Sequence, residues 1–423
     1  MKYYAPKGLY DIKPEEIPYW HAVEAEVRKT MPLYGYQEIR TPIMEKTEVF
    51  ARGVGEDTDV VSKEMYTFED KGGRSMTLRP ENTASVVRAY LEHKFYGKEE
   101  LSKWYYLGPM FRYEAPQKGR SRQFHQYGAE AIGSDAPVLD AEMINLATDL
   151  LTSLGLEEVG LNINSIGCLD DREDYIEDLV DYLKPREDRL CSDCQNRLNT
   201  NPLRILDCKN ETCQSVVEDG PEITDYLCGD CQEHFDSVRG YLDELDLDYE
   251  LDPRLVRGLD YYTRTVFEVF SSDLGAQDAL VGGGRYDGLV ELFGGDPTPA
   301  VGFAGGIERL VLLLQELEGV EAESRDLEVY LATLDQQTKT RSLALVKELR
   351  QAGIKAELDH LGKSLQGQLG YADRYGADIT AILGPRELSE GEITLRDMET
   401  GDQTRVPLAD FSSEVSKHLD STG

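Results

Sequence analysis

Five short stretches of the chain hold side chains capable of chemistry, and two of them suit an anion. In the first, Leu78–Thr83 (LRPENT), the Glu81 carboxylate stands two residues before the Thr83 hydroxyl, at the head of a helix-like run, Ala84–Phe95. Such a pair reads as a helix start, with Thr83 as the cap and Glu81 favourable at the N-terminal dipole. The second, Gly108–Glu130, reads as two antiparallel strands about a long loop. Strand alternation puts Phe124, Gln126, Gly128 and Glu130 on one face, where a carboxamide and a carboxylate suggest a pocket floor. Its loop, Phe111–Gln123, holds four bases, Arg112, Lys118, Arg120 and Arg122, against one acid, Glu114. The planar fork of arginine matches phosphate oxygens in pairs, so this island suits a phosphate; an exposed, solvated hairpin is the competing reading.

The third stretch, Leu255–Glu268 (LVRGLDYYTRTVFE), crowds Arg257, Asp260, Tyr261, Tyr262 and Arg264 between apolar residues. Two arginines in a core strand need acidic partners, here Asp260 or Glu268, or an anionic ligand. In the fourth, Ala279–Gly288 (ALVGGGRYDG), three successive glycines permit close backbone approach to a ligand, or simply make a tight turn. The stretch matches neither the GxGxxG dinucleotide loop nor the GxxxxGK[ST] phosphate loop. The fifth, Ala300–Leu310 (AVGFAGGIERL), joins a strand to a helix through Gly305 and Gly306 and leaves room for a planar group that Arg309 could cover.

The cysteines are a separate matter. Six of the seven lie between residues 170 and 252, and Cys191-x2-Cys194 and Cys228-x2-Cys231, with Cys208 and Cys213 between them, have zinc-site spacings. Free or transiently oxidised thiols are the preferred reading, and a structural zinc on Cys191, Cys194, Cys228 and Cys231 the alternative. Six scattered histidines make no metal centre, and His125 is assigned to packing.

The elements that must position these residues follow from pattern. At 423 residues the chain has room for roughly three domains. Ile17, Trp20, Val23 and Val27 predict a helix within Glu15–Tyr34 that Gly35 stops, and Gln37–Pro42 reads as a short strand. Ser134 is placed to cap a helix running to about Leu154, with Leu139, Met143, Leu146 and Leu150 as its apolar stripe. Residues 170–252 are acidic, with 25 acids against 8 bases, and read as a mostly helical insertion. Extended patterns return at Val266–Phe270 and Ala300–Phe303, then an apolar helix at Ile307–Leu317. After a linker-like acidic stretch, Glu316–Asp326, strand and helix alternate from Leu327 and end in a hairpin around Thr400–Asp402, which predicts a small α/β domain. The net charge of −35 disfavours non-specific binding to nucleic acid, although it leaves local basic sites open. There is no apolar run of transmembrane length, and the first residues lack the apolar core of a secretory signal, so a cytoplasmic, membrane-free protein is expected.

Taken in order, the motifs resemble those of the class II aminoacyl-tRNA synthetases, and closely those of the histidyl-tRNA synthetase family. Arg40–Glu45 (RTPIME) is similar to the first class motif, a dimer interface built around a proline. Phe111–Glu114 with the loop to Glu130 is similar to the second, Gly302–Leu310 to the third, and RGLDYY and GGGRYDG to the two histidine-specific motifs. KSLQGQLGYADRYGA, followed by ILG, is similar to the family's anticodon-binding domain, so the resemblance covers almost the whole chain. It implies an α+β fold: a class II antiparallel sheet flanked by helices, in two parts (1–169 and 253–320), a helical insertion (170–252) and a C-terminal α/β anticodon-binding domain (326–423). It implies a histidine–tRNA ligase acting as a homodimer on L-histidine, ATP with Mg2+, and tRNA(His).

Carried over by resemblance, Arg112 would hold the α-phosphate with Glu114 beside the ATP, and Arg309 would pack on the adenine and reach the γ-phosphate. Arg257 would act on the α-phosphate and carboxylate. Glu81, Thr83, Gln126 and Glu130 would bind histidine, Tyr261 and Tyr262 would close around its imidazole, and Tyr286 would contribute from the glycine-rich segment. Gln117, Lys118, Arg120 and Arg122 would meet the acceptor end of tRNA. Ala115 and Ser121 depart from the charged and bulky residues usual in the family, which affects acceptor-end contact rather than activation. A competing reading is a regulatory paralogue, similar to the subunit of ATP phosphoribosyltransferase that would bind histidine as an effector. Such paralogues typically lack the anticodon domain and parts of the motifs, and here both are present.

The excess of acids also bears on solvent. Self-repulsion of the folded state is screened by salt, so thermal stability should rise, and activity should change, between dilute buffer and molar KCl. Thermal scans and activity assays across that range check this, and identical values at both ends would remove adaptation to salt as the reason for the acidity.

Overall fold

The alternating stretches on either side of the basic loop form the hairpin that their pattern requires. In the computed structural model, which describes residues 3–55, 58–116, 119–156, 158–271, 279–316 and 327–422, strands Ser102–Phe111 and Gln123–Ile132 pair antiparallel with Gly108 opposite Gln126. They sit in an eight-stranded sheet. Its order is Gln37–Glu38, Ser102–Phe111, Gln123–Ile132, Ala300–Gly306, Ala279–Arg285, Thr263–Phe270, Gly160–Ser165 and Glu250–Leu251. The six central strands pair antiparallel and the two short edge strands pair parallel.

One face of this sheet is apolar. Tyr105, Tyr127, Ala129, Val281, Val301 and Phe303 pack there against helices Ile17–Leu33, Pro137–Ser153 and Ile307–Glu316. The stripe Leu139, Met143, Leu146 and Leu150 is buried as its spacing predicts, each side chain removing water-exposed apolar area worth about 1.5–3 kcal/mol. Ser134 does not cap this helix. Ala136 occupies the cap, Pro137 opens the first turn with its preset φ, and the Ser134 hydroxyl accepts instead from the Ala136 N–H at 3.2 Å. The strand expected over Gln37–Pro42 is paired only at Gln37 and Glu38, because Thr41 turns its hydroxyl to Asn82.

Residues 170–252 are mostly helical, with helices Leu169–Leu183, Ser192–Thr200, Glu211–Val217 and Gly229–Glu244. The last of these gives Phe235, Val238 and Leu242 to the core beneath the sheet. Most of the acidic stretch expected as a linker, residues 317–326, lies outside the described residues.

The chain divides into two compact units, at residues 1–320 and 321–423. The second holds a five-stranded sheet in the order Ala356–Leu358, Val329–Thr333, Ile379–Leu383, Glu392–Asp397, Gln403–Pro407, the first three parallel and the hairpin antiparallel. Helices Gln336–Gln351 and Leu365–Arg374 fall where strand–helix alternation predicts them, the second capped by Ser364. The short helix Pro385–Glu390 and the terminal helix Phe411–Thr422 have no counterpart in the sequence reading. The latter packs Phe411 and Val415 into this unit's core.

A buried ion pair fastens the first unit together. Arg285, fully enclosed, binds Asp140 through Nε and Nη2, the Ser134 carbonyl at 2.9 Å and Asp287 at 3.1 Å. Asp140 also meets His234 Nε2 at 3.3 Å, which ties the central sheet, the Pro137–Ser153 helix and the last insertion helix to one carboxylate. Removing one partner strands a buried charge, so Asp140→Ala should cost about 3–5 kcal/mol in urea unfolding. Replacing both Asp140 and Arg285 with leucine should recover much of that loss.

Candidate active site

The opposite face of the eight-stranded sheet is paved with glycine. Cross-strand rows run Gly108–Gln126–Gly306, then Tyr106–Gly128–Ala304–Gly282–Glu268, then Glu130–Gly302–Gly284–Val266. Large polar side chains lie flat in the trough that results. A Cβ on Gly302 would stand 1.9 Å from Glu130 Oε2, one on Gly282 1.7 Å from Arg257 Nη2, and one on Gly128 2.4 Å from the Tyr106 hydroxyl. The triple glycine therefore serves a side chain of this same protein: its first member makes room for Arg257.

Glu130 is the centre of the trough. It is 1% exposed, and its carboxylate accepts from Thr83 Oγ1 at 2.6 Å, Tyr106 at 3.3 Å and Tyr286 at 2.5 Å. Burial raises its pKa to about 8, against the three hydroxyls, which lower it. Thr83 is thus not the helix cap expected for it. Glu81 does that work, accepting from the N–H of Thr83 at 2.7 Å and of Ala84 at 3.1 Å, and burial raises its pKa too. Tyr261 and Tyr262 close the wall, their rings 4.7 Å apart, with Tyr286 5.6 Å from Tyr261. Gln126 comes from the neighbouring row, and its buried Oε1 has no hydrogen-bond partner among the described residues. A buried acceptor left in this way calls for a donor from a ligand.

The arginines border the same face. Arg257 pairs with Glu268 at 2.5 Å, which settles the choice between its two acidic neighbours; burial pulls its pKa down and Glu268 more than offsets this. Asp260 turns instead to Asn201, at 2.9 Å, and to Gly55. Arg112 donates to the Pro80 carbonyl at 2.9 Å, next to Glu81, and lies over the Phe124 ring. Arg309 donates to the Ala279 carbonyl, and the space above Gly306 in the same helix–strand junction is open. Glu308 beside it binds the backbone N–H of His125 at 2.8 Å and its ring at 3.0 Å, while that ring packs edge-on against Trp20.

The basic loop is only partly described. Gln117 and Lys118 lie outside the described residues. Arg120 is exposed and reaches Glu114 at 3.4 Å. Arg122 stacks 3.7 Å from the Tyr113 ring and donates to the Glu114 and Lys7 carbonyls, so it holds the loop to the N-terminal segment. The cysteines Cys191, Cys194, Cys228 and Cys231 do not converge on one site, because each CxxC pair opens a different helix, and each joins a separate cluster.

Two residues of the site escaped the sequence reading. Tyr106 sits in a run of aromatics, Trp104–Tyr106, and only its register opposite Gly128 marks it. Arg79 threads past Gly108 to the Pro109 carbonyl at 2.9 Å and to Thr41 and Asn82, and so joins the LRPENT turn to the RTPIME segment.

This antiparallel sheet, with arginines along a glycine-lined polar trough and an α/β unit following in the chain, defines the class II aminoacyl-tRNA synthetases. The family model described as histidyl-tRNA synthetase matches residues 8–310, and that of an anticodon binding domain matches residues 328–418. The histidine–tRNA ligase of Halothermothrix orenii is 53% identical over 414 residues, covering 98% of this chain and 99% of that one. That of Bacillus subtilis is 50% identical, covering 97% and 98%. The apo histidyl-tRNA synthetase of S. aureus superposes with a TM-score of 0.80 at 41% identity, covering 98% and 99%. The chain belongs to the histidyl-tRNA synthetase family.

The raised Glu130 pKa has a measurable sign. Stability from its protonated form is complete below the ordinary glutamate pKa and lost as pH rises through about 8. The ligand-free protein should therefore lose thermal stability between about pH 4.5 and 8, and Glu130→Gln, neutral throughout, should flatten that decline in parallel scans.

Proposed function

We propose that this chain activates L-histidine with ATP, releasing pyrophosphate, and then passes the histidyl group from the adenylate to the 3′ end of tRNA(His). The observation that carries the specificity is the Glu130 carboxylate, held by three hydroxyls on the glycine-paved floor. An imidazole N–H donates to Glu130 between the walls of Tyr261 and Tyr262, while the buried Gln126 Oε1 and Glu81 face the α-ammonium. A side chain without that N–H forfeits the bond to the Glu130 carboxylate while still displacing water from the pocket, and is rejected for that reason.

Activation joins a histidine carboxylate oxygen to the α-phosphorus as the bond to pyrophosphate breaks. Arg112 and Arg257 meet the charge that grows on the phosphate oxygens, and fixed alignment of the two substrates lowers the barrier further. Arg309 covers the adenine over the open space at Gly306. Mg2+ enters with ATP as part of that substrate: Glu268 and Glu308 already hold Arg257 and His125, so neither is a ready-made cation ligand. Transfer follows when a terminal ribose hydroxyl of tRNA attacks the adenylate carbonyl and AMP leaves. Gln117, Lys118 and Arg120 contact the acceptor end, with Arg122 and Glu114 supporting their loop.

In this reading residues 1–169 and 253–320 form the catalytic domain, 170–252 its insertion, and 326–423 the anticodon-binding domain. A second copy docks around Pro42, where Ile43 and Met44 are 44% and 51% exposed. No helix among the described residues is long and apolar enough to cross a membrane. Participation in translation places the enzyme in the cytoplasm.

ATP–pyrophosphate exchange tests the assignment. Exchange is expected with histidine and with no other amino acid, and Arg257→Ala should slow it by about 10²–10³-fold, the usual cost of one oxyanion donor. Histidine binding without exchange would mean an effector-binding paralogue instead, and exchange with another amino acid would overturn the pocket assignment.

A further inference from the structure

All seven cysteines of the chain fall into two clusters. In one, Cys191, Cys194, Cys208 and Cys213 bring their sulfurs within 4.8 Å of one another; in the other, Cys168, Cys228 and Cys231 do the same with a carboxylate oxygen of Asp171. The shapes are those of cation sites. Four thiolates each about 2.3 Å from a tetrahedral ion stand roughly 3.8 Å apart, and Cys191 and Cys208 are 3.9 Å apart here. Four sulfurs gathered around one point differ from the paired arrangement of disulfides. Three of the four in the first cluster are buried.

The surrounding backbone suits bound thiolates. Cys191 and Cys228 each precede a helix, Ser192–Thr200 and Gly229–Glu244, and Cys194 and Cys231 lie in the first turns. The positive end of a helix favours a thiolate there. The Cys191 N–H points at Cys213 Sγ, 3.2 Å away. In the second cluster the N–H groups of Cys168 and Cys228 donate to the two oxygens of Asp171 at 3.1 and 3.0 Å, which fixes the orientation of that carboxylate. The helices tied down by the first cluster are short. Ser192–Thr200 has 9 residues and Glu211–Val217 has 7, too few to be stable unaided.

We infer that the insertion holds two structural zinc ions, one on Cys191, Cys194, Cys208 and Cys213, and one on Cys168, Asp171, Cys228 and Cys231. Zinc is favoured among divalent ions by thiolate-rich, closed, tetrahedral sets. The first ion cross-links the short helices Ser192–Thr200 and Glu211–Val217, and the second joins the starts of Leu169–Leu183 and Gly229–Glu244. Neither set includes a residue assigned to histidine, ATP or tRNA, so this inference stands whether or not that assignment does.

Metal analysis of the full-length protein, purified without chelator, tests it directly. The expected count is about two zinc ions per chain, with the thiols slow to react with a disulfide reagent until zinc is stripped. Reconstitution with Co2+ should give the intense visible bands of tetrahedral thiolate cobalt. Cys208→Ser should remove one ion and Cys228→Ser the other. A count of one that only Cys208→Ser abolishes keeps the first centre and overturns the second, and the converse result does the reverse. Protein that contains no zinc, takes up neither Zn2+ nor Co2+, and shows either fast-reacting thiols or disulfides overturns both. If a variant fails to fold, the metal count and cobalt spectrum of the unaltered chain still decide the matter.

Discussion

The site rests on a steric constraint: a polar side chain as large as glutamate or arginine can lie against a β-sheet only where the strand beneath it has no Cβ. Gly302 under Glu130, Gly282 under Arg257 and Gly128 under Tyr106 meet that condition in adjacent rows. Rows of this kind cost strand stability, since glycine loses most entropy on ordering and packs nothing. The cost is offset on the other face, where Tyr127, Val281, Val301 and Phe303 bury fully against helices. The two faces of the same strands thus divide the tasks of holding the fold and forming the polar trough of the candidate site.

Electrostatics follow from that arrangement. Charges pressed against the sheet lose water, so each needs a partner. Arg285 and Asp140 pair with each other, with Ser134, Asp287 and His234 completing their bonds, and serve structure. Glu130 is satisfied by neutral hydroxyls, which do not cancel the burial that raises its pKa to about 8. A group so poised gains from a cationic or strongly donating ligand, whereas Asp140, held low by Arg285 and His234 against its burial, has nothing left to gain.

Much of this was legible in the sequence. Local order survived translation into structure: the hairpin around the basic loop, the apolar stripe of Pro137–Ser153 and the alternation of the C-terminal unit all follow from period and turn chemistry. Caps were less legible. Ser134 and Thr83 are both good capping residues, but Ala136 with Pro137 takes the first position, and Thr83 finds a stronger acceptor in Glu130, 47 residues away along the chain. Pairings across long separations were the least visible. Nothing local marks Cys208 and Cys213 as companions of Cys191, or Asp171 as a companion of Cys228. The identity of the motifs as a set came from resemblance, not from period or spacing.

The order of strands in the central sheet sets a problem for the ribosome. Strand Gln123–Ile132 pairs with Ala300–Gly306, and between them in the chain lie the whole insertion and three more central strands. At roughly 5–20 residues per second, Glu130 waits about ten to thirty seconds after synthesis for the glycine that will accommodate it. During that interval the nascent sheet presents an unpaired central edge, the kind of surface on which strands from other chains can add. The last insertion helix cannot shorten the wait, because Phe235, Val238 and Leu242 belong to the same unfinished core. The catalytic unit should therefore fold late and cooperatively, and a growing chain would benefit from a holding chaperone until residue 306 has emerged.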